Sequence, residues 1–170
     1  TEIVPIGEHW WSETNQEDYP SLKKFDRIQT SEVRFTHDLY LARLGETYLI
    51  AAEAAFQLGD GATAAEYINE VRERAAIEGH EEEMMVEPGD IDLNFILDER
   101  ARELAGEGHR WFSLKRTNRL IERTVRYNPQ ITSEAQFAGN NGAYKILRPI
   151  PLRVISLDEG DYPQNPAYSN

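Results

Sequence analysis

Apolar residues recur with helical spacing from about Asp38 onward, and this pattern predicts two helices packed side by side. Asp38 is expected to cap the start of the first helix, and Gly59 to end it. One stripe of this helix carries Leu41, Leu44, Tyr48, Ala51, Ala52, Ala55 and Phe56. The second helix is expected from Ala62 to about Ile77, with Ala64, Ala65, Ile68, Val71 and Ala75 facing inward and Glu66, Glu70, Arg72, Glu73 and Arg74 facing outward. Because so short a turn separates them, the two helices must run antiparallel, as in one tetratricopeptide repeat.

Two further helices are predicted downstream of an acidic loop at 78–89. The third begins near Asp90 or Asp92, ends at Gly106 and Gly108, and has the apolar positions Leu93, Ile96, Leu97, Ala101, Leu104 and Ala105. The fourth runs from Trp111 to about Val125, with Trp111, Leu114, Ile121 and Val125 as core contacts. The fold class predicted is mainly α, in one domain over 1–170: an aromatic-rich loop region (1–37), a tetratricopeptide-like antiparallel helix pair (38–77), two further helices (90–125) and a loop-rich tail (126–170).

The charge of the chain changes the list of possible partners. Its 170 residues include 30 acidic and 18 basic ones, a formal net charge of -12, which argues against nucleic acid and anionic lipid as partners. Without cysteine there is neither a disulfide nor a thiolate metal site. The chain has no apolar run of about 18 residues, and its first residues resemble neither a native start nor a signal peptide. We therefore expect a fragment of a longer protein.

Three glutamates spaced four residues apart, Glu99, Glu103 and Glu107, provide the raw material for a glycosidase with paired carboxylates. Arginines lie among them, however, and the pairs Asp98 with Arg102 and Glu99 with Arg102 have the spacing of helical ion pairs. A neighbouring arginine keeps a carboxylate ionised, which suits an ion-pair network better than a general acid.

Neither a metal nor a cofactor is expected. His9, His37, His80 and His109 are scattered along the chain, whereas zinc needs three or four converging ligands. The segment DIDLN (residues 90–94) imitates the start of a calcium-binding loop, but it lacks the required glycine and the final glutamate, so its aspartates are expected to cap the third helix. Gly-rich phosphate loops of the Walker or Rossmann type and the G-x-S-x-G motif are also absent from the sequence.

The aromatic residues Trp10, Trp11 and Tyr19 are the candidate ligand contacts. An aromatic face stacks on the apolar face of a sugar ring, and neighbouring polar groups such as His9, Glu13, Asn15 and Gln16 can bond to its hydroxyls. The alternative is that the two tryptophans fill a core beneath a loop. The sequence leaves both interpretations open.

Three segments together resemble the SusD/RagB family. ERARELAGEGHRWFSLKR (99–116) is similar to the family signature ER-x-x-EL-x-x-EG-x-RW-x-D-L-x-R, and the helices at 42–75 resemble the family's R-x-x-E-x-YL-x-x-AEA and N-x-V-R-x-RA helices. The ending, with PIP at 149–151 and QNPAY at 164–168, is also similar. The resemblance marks as structural signature residues Arg43, Glu46, Glu53, Asn69, Arg72, Glu99, Arg100, Glu103, Glu107, Arg110, Trp111, Pro149, Pro151, Asn165 and Tyr168. Two positions depart from the pattern: Ser113 replaces the usual Asp, and Ala167 the common Gly, so the tail backbone should not need a positive φ there.

The resemblance implies a non-catalytic nutrient-binding protein on the surface of Bacteroidota-like bacteria. Such proteins capture glycans or peptides for a SusC-like TonB-dependent transporter and are anchored to the outer membrane through a lipidated N-terminal cysteine, which this chain does not contain. The chain would then be the C-terminal part of one, and the charged stretch 98–116 a structural joint. Two alternatives remain: a protein-interaction scaffold built on the helix pair, and an acidic glycosidase that uses Glu99 and Glu103.

Overall fold

The computed structural model describes residues 41–157, 159–160 and 162–168, and the described part is mainly helical, as predicted. Its α-helices are α1 (Leu44–Gln57), α2 (Gly61–Ala75), α3 (Glu81–Met84), α4 (Leu93–Glu103), α5 (Arg110–Arg116), α6 (Leu120–Tyr127) and α7 (Leu152–Leu157). Three 3-10 helices are formed by Pro88–Asp90, Glu134–Phe137 and Pro166–Tyr168. The β-structure within these ranges is a single bridge between Ala138 and Tyr144.

A core of small and branched side chains holds α1 against α2, and α4 packs on α1. Its members are Leu49, Ala52, Ala55, Ala64, Ala65, Ile68, Val71, Ile91 and Ile96, with Tyr48, Phe56, Tyr67, Val86 and Phe95 packed around them. The alanines let the two helix backbones approach closely, and each fully buried Leu or Ile contributes about 1.5–3 kcal/mol. A second cluster joins α4 to α5 and α6 through Leu97, Leu114 and Leu120, with Leu93 and Trp111 against it.

Aspartates cap two of the helices, and the cap at Asp92 was predicted from the sequence, whereas the one at Asp60 was not. The side chain of Asp60 accepts a hydrogen bond from the backbone N–H of Thr63 at 3.0 Å, and that of Asp92 accepts one from Phe95 at 2.6 Å. These bonds satisfy amides that have no partner inside the helix, and so fix where α2 and α4 begin.

The predicted start of α1 is wrong. The helix begins at Leu44, with Arg43 in extended conformation before it, so Leu41 lies outside the helix. Asp38 lies outside the described residues. The inward stripe also needs correction, because Leu44 is exposed, whereas Leu49, which was not predicted to face inward, is fully buried. Similarly, Ala75 at the end of α2 is exposed.

The single fourth helix predicted from Trp111 to Val125 is also wrong, because the chain forms α5 and α6 with a break between them. Asn118 in the break has φ of 57°, a left-handed conformation that asparagine tolerates better than most residues. The backbone N–H of Arg119 bonds back to the carbonyl of Leu114 at 2.8 Å, which closes the end of α5. The break turns α6 so that Leu120 and Arg123 are buried.

The two C-terminal motifs contact each other. The side chain of Gln164 accepts a hydrogen bond from the N–H of Ile150 at 2.7 Å and donates one to its carbonyl at 2.8 Å. Asn165 donates to the carbonyl of Arg148 at 2.6 Å. Since Pro149 and Pro151 have no N–H, Gln164 engages the one backbone donor of the PIP segment. Ala167 is buried and is not among the described residues with positive φ, as expected from the sequence.

Candidate functional site

Two carboxylates of the charged stretch, Glu99 and Glu103, each accept hydrogen bonds from two arginines. Glu99 accepts hydrogen bonds from Arg72 of α2 and Arg102 of its own helix. The Glu99–Arg102 pair predicted from the spacing is therefore present. The other predicted pair, Asp98 with Arg102, is wrong, because Asp98 bonds to Arg123 of α6 instead.

Arg43, just before α1, joins that helix to the end of α4. Its guanidinium donates to Glu103 and to both carboxylate oxygens of Glu107, the latter at 2.8 Å each. The hydrogen bonds that Arg43 donates to Glu107 and to Glu103 raise the pKa of Arg43. Gly45 leaves room for this contact, since a Cβ there would lie 2.7 Å from both Arg43 Nη1 and Glu103 Oε1. Glu103 also accepts from Arg74 of α2, at 2.8 and 2.9 Å.

Two residues of α2 hold the segment that follows α3. The amide of Asn69 donates to the carbonyl of Val86 at 3.0 Å and accepts from its N–H at 2.9 Å. Arg72 donates to the carbonyl of Met84, and its guanidinium lies 5.8 Å from the ring centre of Phe95. The expectation that Arg72 faces outward is wrong, because the side chain spans from α2 to α4.

Arg100 is a buried guanidinium with few partners. It is 6% exposed, and its Nε donates to the hydroxyl of Ser113 at 3.1 Å. Its Nη2 lies 3.4 Å from Glu46, which also lies 3.3 Å from Nδ1 of His109. Its Nη1 is buried and has no hydrogen-bond partner. The charge of Arg100 is thus matched by a single carboxylate, that of Glu46, through one long contact.

An open cleft of about 700 Å³ lies between α1 and α5 beside Arg100. Its lining includes Glu46, Ile50, Glu53, His109, Phe112 and Arg116. Glu53 accepts two hydrogen bonds from Arg116, and this pairing raises the pKa of Arg116. The positive and negative side chains of the cleft are therefore largely paired with each other.

A second pair of arginines lies between α4, α5 and α6. Arg110 donates to the carbonyl of Leu97 at 2.6 Å, while Arg123 donates to Asn94 at 3.0 Å and to Asp98. Burial, together with the nearby charge of Arg123, lowers the pKa of Arg110. Arg123 is 2% exposed and was not singled out from the sequence. The sequence could have indicated that Arg123 is buried, because it lies three residues after the apolar Leu120 and so on the same face of the helix.

Comparison with known proteins identifies the family of this chain. The model of the SusD family matches residues 11–168. The chain belongs to the SusD family. Among its relatives, SusD-like protein P25 of Formosa agariphila is 34% identical over 132 residues, which are 74% of this chain and 24% of that protein. SusD-like protein P38 of the same organism is 32% identical over 118 residues, 63% of this chain and 22% of that protein. The chain thus spans about a quarter of the length of the relatives it matches, and no solved structure matches it.

The SusD signature offers a reason why Arg100 has so few partners. The signature has Asp where this chain has Ser113, and Ser113 is the residue that meets Arg100 Nε. Most of the other signature residues lie in the contacts described above, with Trp111 packed against the second core cluster and Asn165 bonded beside the PIP segment. That they serve stability and not ligand binding remains a prediction.

The candidate ligand contacts of this SusD-family chain, Trp10, Trp11 and Tyr19, lie outside the described residues. Within the part of the chain that the structure describes, no group of three or more His, Asp or Glu side chains is arranged to hold a metal ion. No described helix is long and apolar enough to cross a membrane.

Proposed function

We propose that the protein containing this chain is a non-catalytic binding protein that captures a glycan at the outer cell surface and passes it to a SusC-like TonB-dependent transporter. The match of the SusD family model over residues 11–168 carries this proposal. The SusD-like relatives, matched over 63–74% of this chain, support it. Anchoring to the outer membrane through a lipidated cysteine is part of the same proposal.

The contacts of Glu99 and Glu103 argue against the glycosidase alternative. A glycosidase acid must hold a proton and pass it to the leaving oxygen. Each of these carboxylates already accepts hydrogen bonds from two guanidinium groups that belong to different segments of the chain. Both carboxylates therefore join elements together.

The scaffold alternative requires several stacked helix pairs, because one pair forms no extended groove. In the described ranges, the α1–α2 pair is followed by α4 across α1, and the remaining helices are short. The family match therefore supports nutrient binding more strongly than the single tetratricopeptide-like pair supports a scaffold.

The first test concerns the tryptophans, in the whole protein encoded by the gene that contains this chain. Loss of a stacking ring costs about 0.5–1.5 kcal/mol beyond its buried area, so Trp10→Ala and Trp11→Ala should each weaken glycan binding about tenfold. Affinity gel electrophoresis against a panel of polysaccharides measures the retention, and calorimetry the affinity. Phe112→Ala, which removes an exposed ring of α5, is the matched control and should bind normally.

Unchanged retention in both tryptophan variants would show that the ligand contacts lie elsewhere in the protein. If the whole protein bound no polysaccharide of the panel, the proposed function itself would be wrong.

A further inference from the structure

The net charge of -12 is distributed unevenly along the chain. Residues 43–109 contain seventeen acidic and five basic residues, whereas residues 110–153 contain two acidic and nine basic ones. The basic segment begins with α5 and continues through α6 to the start of α7. A locally cationic surface on an acidic protein attracts anions while the rest of the molecule repels them.

Most of the charge pairing in this segment involves three arginines. Arg116 pairs with Glu53, Arg119 with Glu122, and Arg123 with Asp98. Five other cations form no ion pair with any described residue: Lys115, Arg126, Lys145, Arg148 and Arg153. Their charge is therefore available to a partner.

Three of these cations lie along one surface. Trp111 and Lys115 are four residues apart on α5 and so share a face. The guanidinium of Arg148 lies 5.6 Å from the ring centre of Trp111. Lys115 lines a cleft of about 250 Å³ together with Tyr144 and Ile146, which precede Arg148 in the chain. Glu122 of α6 lines the same cleft, and Arg126 lies one turn further along that helix.

The two acidic residues of the cleft have partners of their own. Glu122 bonds to Arg119, and Glu134 accepts from the hydroxyl of Tyr144 at 3.4 Å. Tyr144 is 44% exposed. The surface therefore combines unpaired cations with an exposed aromatic ring. Its cleft is smaller than the roughly 300–1,000 Å³ of pockets that enclose a small molecule, which suits a polymer that lies across it.

We propose that this surface, formed by Lys115, Arg126, Tyr144 and Arg148, binds an anionic polysaccharide, a glycan that carries carboxylate or sulfate groups. The proposal rests on the proposed function and narrows its ligand class. Ammonium and guanidinium groups donate charge-assisted hydrogen bonds to either anion, and the guanidinium of Arg148 can do so with two parallel bonds. The ring of Tyr144 meets the C–H face of a sugar. A neutral glycan would leave the cations without partners.

The experiment compares matched polymers on the whole protein. Polygalacturonate is compared with its fully methyl-esterified form, and dextran sulfate with dextran, so that each pair differs only in charge. We expect each anionic member to bind at least about tenfold more tightly than its neutral partner, or one of them if the surface distinguishes carboxylate from sulfate. Binding should weaken as the salt concentration rises, because salt screens exposed charges.

The variants Lys115→Gln and Arg148→Gln, singly and together, test the surface. The double variant should lose about tenfold or more in affinity for the anionic polymer. The control is Arg102→Gln, which removes the same charge from α4 and leaves Glu99 bonded to Arg72. It should bind as the unaltered protein does, and circular dichroism should show all variants folded.

Four results would overturn the inference. Equal binding of charged and neutral polymers, or a double variant with unchanged affinity, would contradict the anionic binding site. Neither result would contradict the proposed function. Binding to phosphatidylglycerol vesicles through Lys115 and Arg148, without binding to either charged polymer, would make the surface a membrane contact. The absence of binding to any polysaccharide would reject the proposed function together with this inference.

Discussion

At the scale of single residues, Arg100 is one of two arginines of the described structure that have a buried nitrogen without a hydrogen-bond partner. A buried guanidinium usually meets a carboxylate, but here the nearest side chain on α5 is the neutral Ser113, and Nη1 has no partner. We predict that Ser113→Asp, which restores the residue of the SusD signature, raises the free energy of unfolding by about 1–3 kcal/mol. The reason is that one carboxylate can accept from two guanidinium N–H groups at once.

Urea unfolding of the whole protein measures this change. Ser113→Asn is the matched control, because it has nearly the same size as Asp without the charge, and it should not stabilise. An Asp variant less stable than the Asn variant would show that Arg100 does not need a second carboxylate.

At the scale of elements, the start of α2 should depend on pH through Asp60. The hydrogen bonds from Thr63, first from its backbone and then from its hydroxyl, lower the pKa of Asp60. The ionised form therefore stabilises the folded chain above the unfolded pKa of about 3.9, and this contribution is lost as the pH falls through the lowered folded value. Asp60→Asn keeps the capping oxygen but cannot titrate.

The measurement is the difference in unfolding free energy between the unaltered protein and Asp60→Asn at several pH values. This difference should favour Asp60 at pH 7 and shrink below about pH 4. Comparison with the Asn variant cancels the titration of the other carboxylates. A difference that stays constant across this range would contradict the assigned role.

The helix starts show how much of this fold could be predicted from the sequence. Asp92 capped α4 as expected, because a cap needs only residues three positions apart. The start of α1 was missed, since Arg43 makes its contacts with Glu103 and Glu107, some sixty residues away in the chain. The break between α5 and α6 depends on one left-handed residue, Asn118, within a pattern that otherwise continues. In the same way, the local pair of Glu99 with Arg102 was predictable, whereas that of Asp98 with Arg123 was not.

At the scale of the whole molecule, ion pairs between distant segments join helices that the apolar core only partly connects. The core cluster of α1 and α2 reaches α4 at Ile96, while the last turn of α4 is held mainly by charge. Buried or half-buried pairs of this kind contribute little net energy compared with apolar packing, but removing one partner leaves the other uncompensated. The joint is therefore sensitive to loss of a single member.

Glu103 tests this sensitivity, because its carboxylate meets Arg43 before α1 and Arg74 on α2 at the same time. We predict that Glu103→Ala lowers the free energy of unfolding by about 1–2 kcal/mol, because the half-buried Arg43 loses one of its two carboxylates, while the more exposed Arg74 is hydrated when it loses this ion pair. If Glu103 serves only to join segments, as we predict, the affinity of the folded protein for the proposed glycan ligand should not change. Glu70→Ala, an exposed change on α2, is the control and should stay within about 0.5 kcal/mol. A Glu103 variant of normal stability that no longer binds glycan would instead place Glu103 in the binding site, and the charged stretch would have to be reinterpreted as functional.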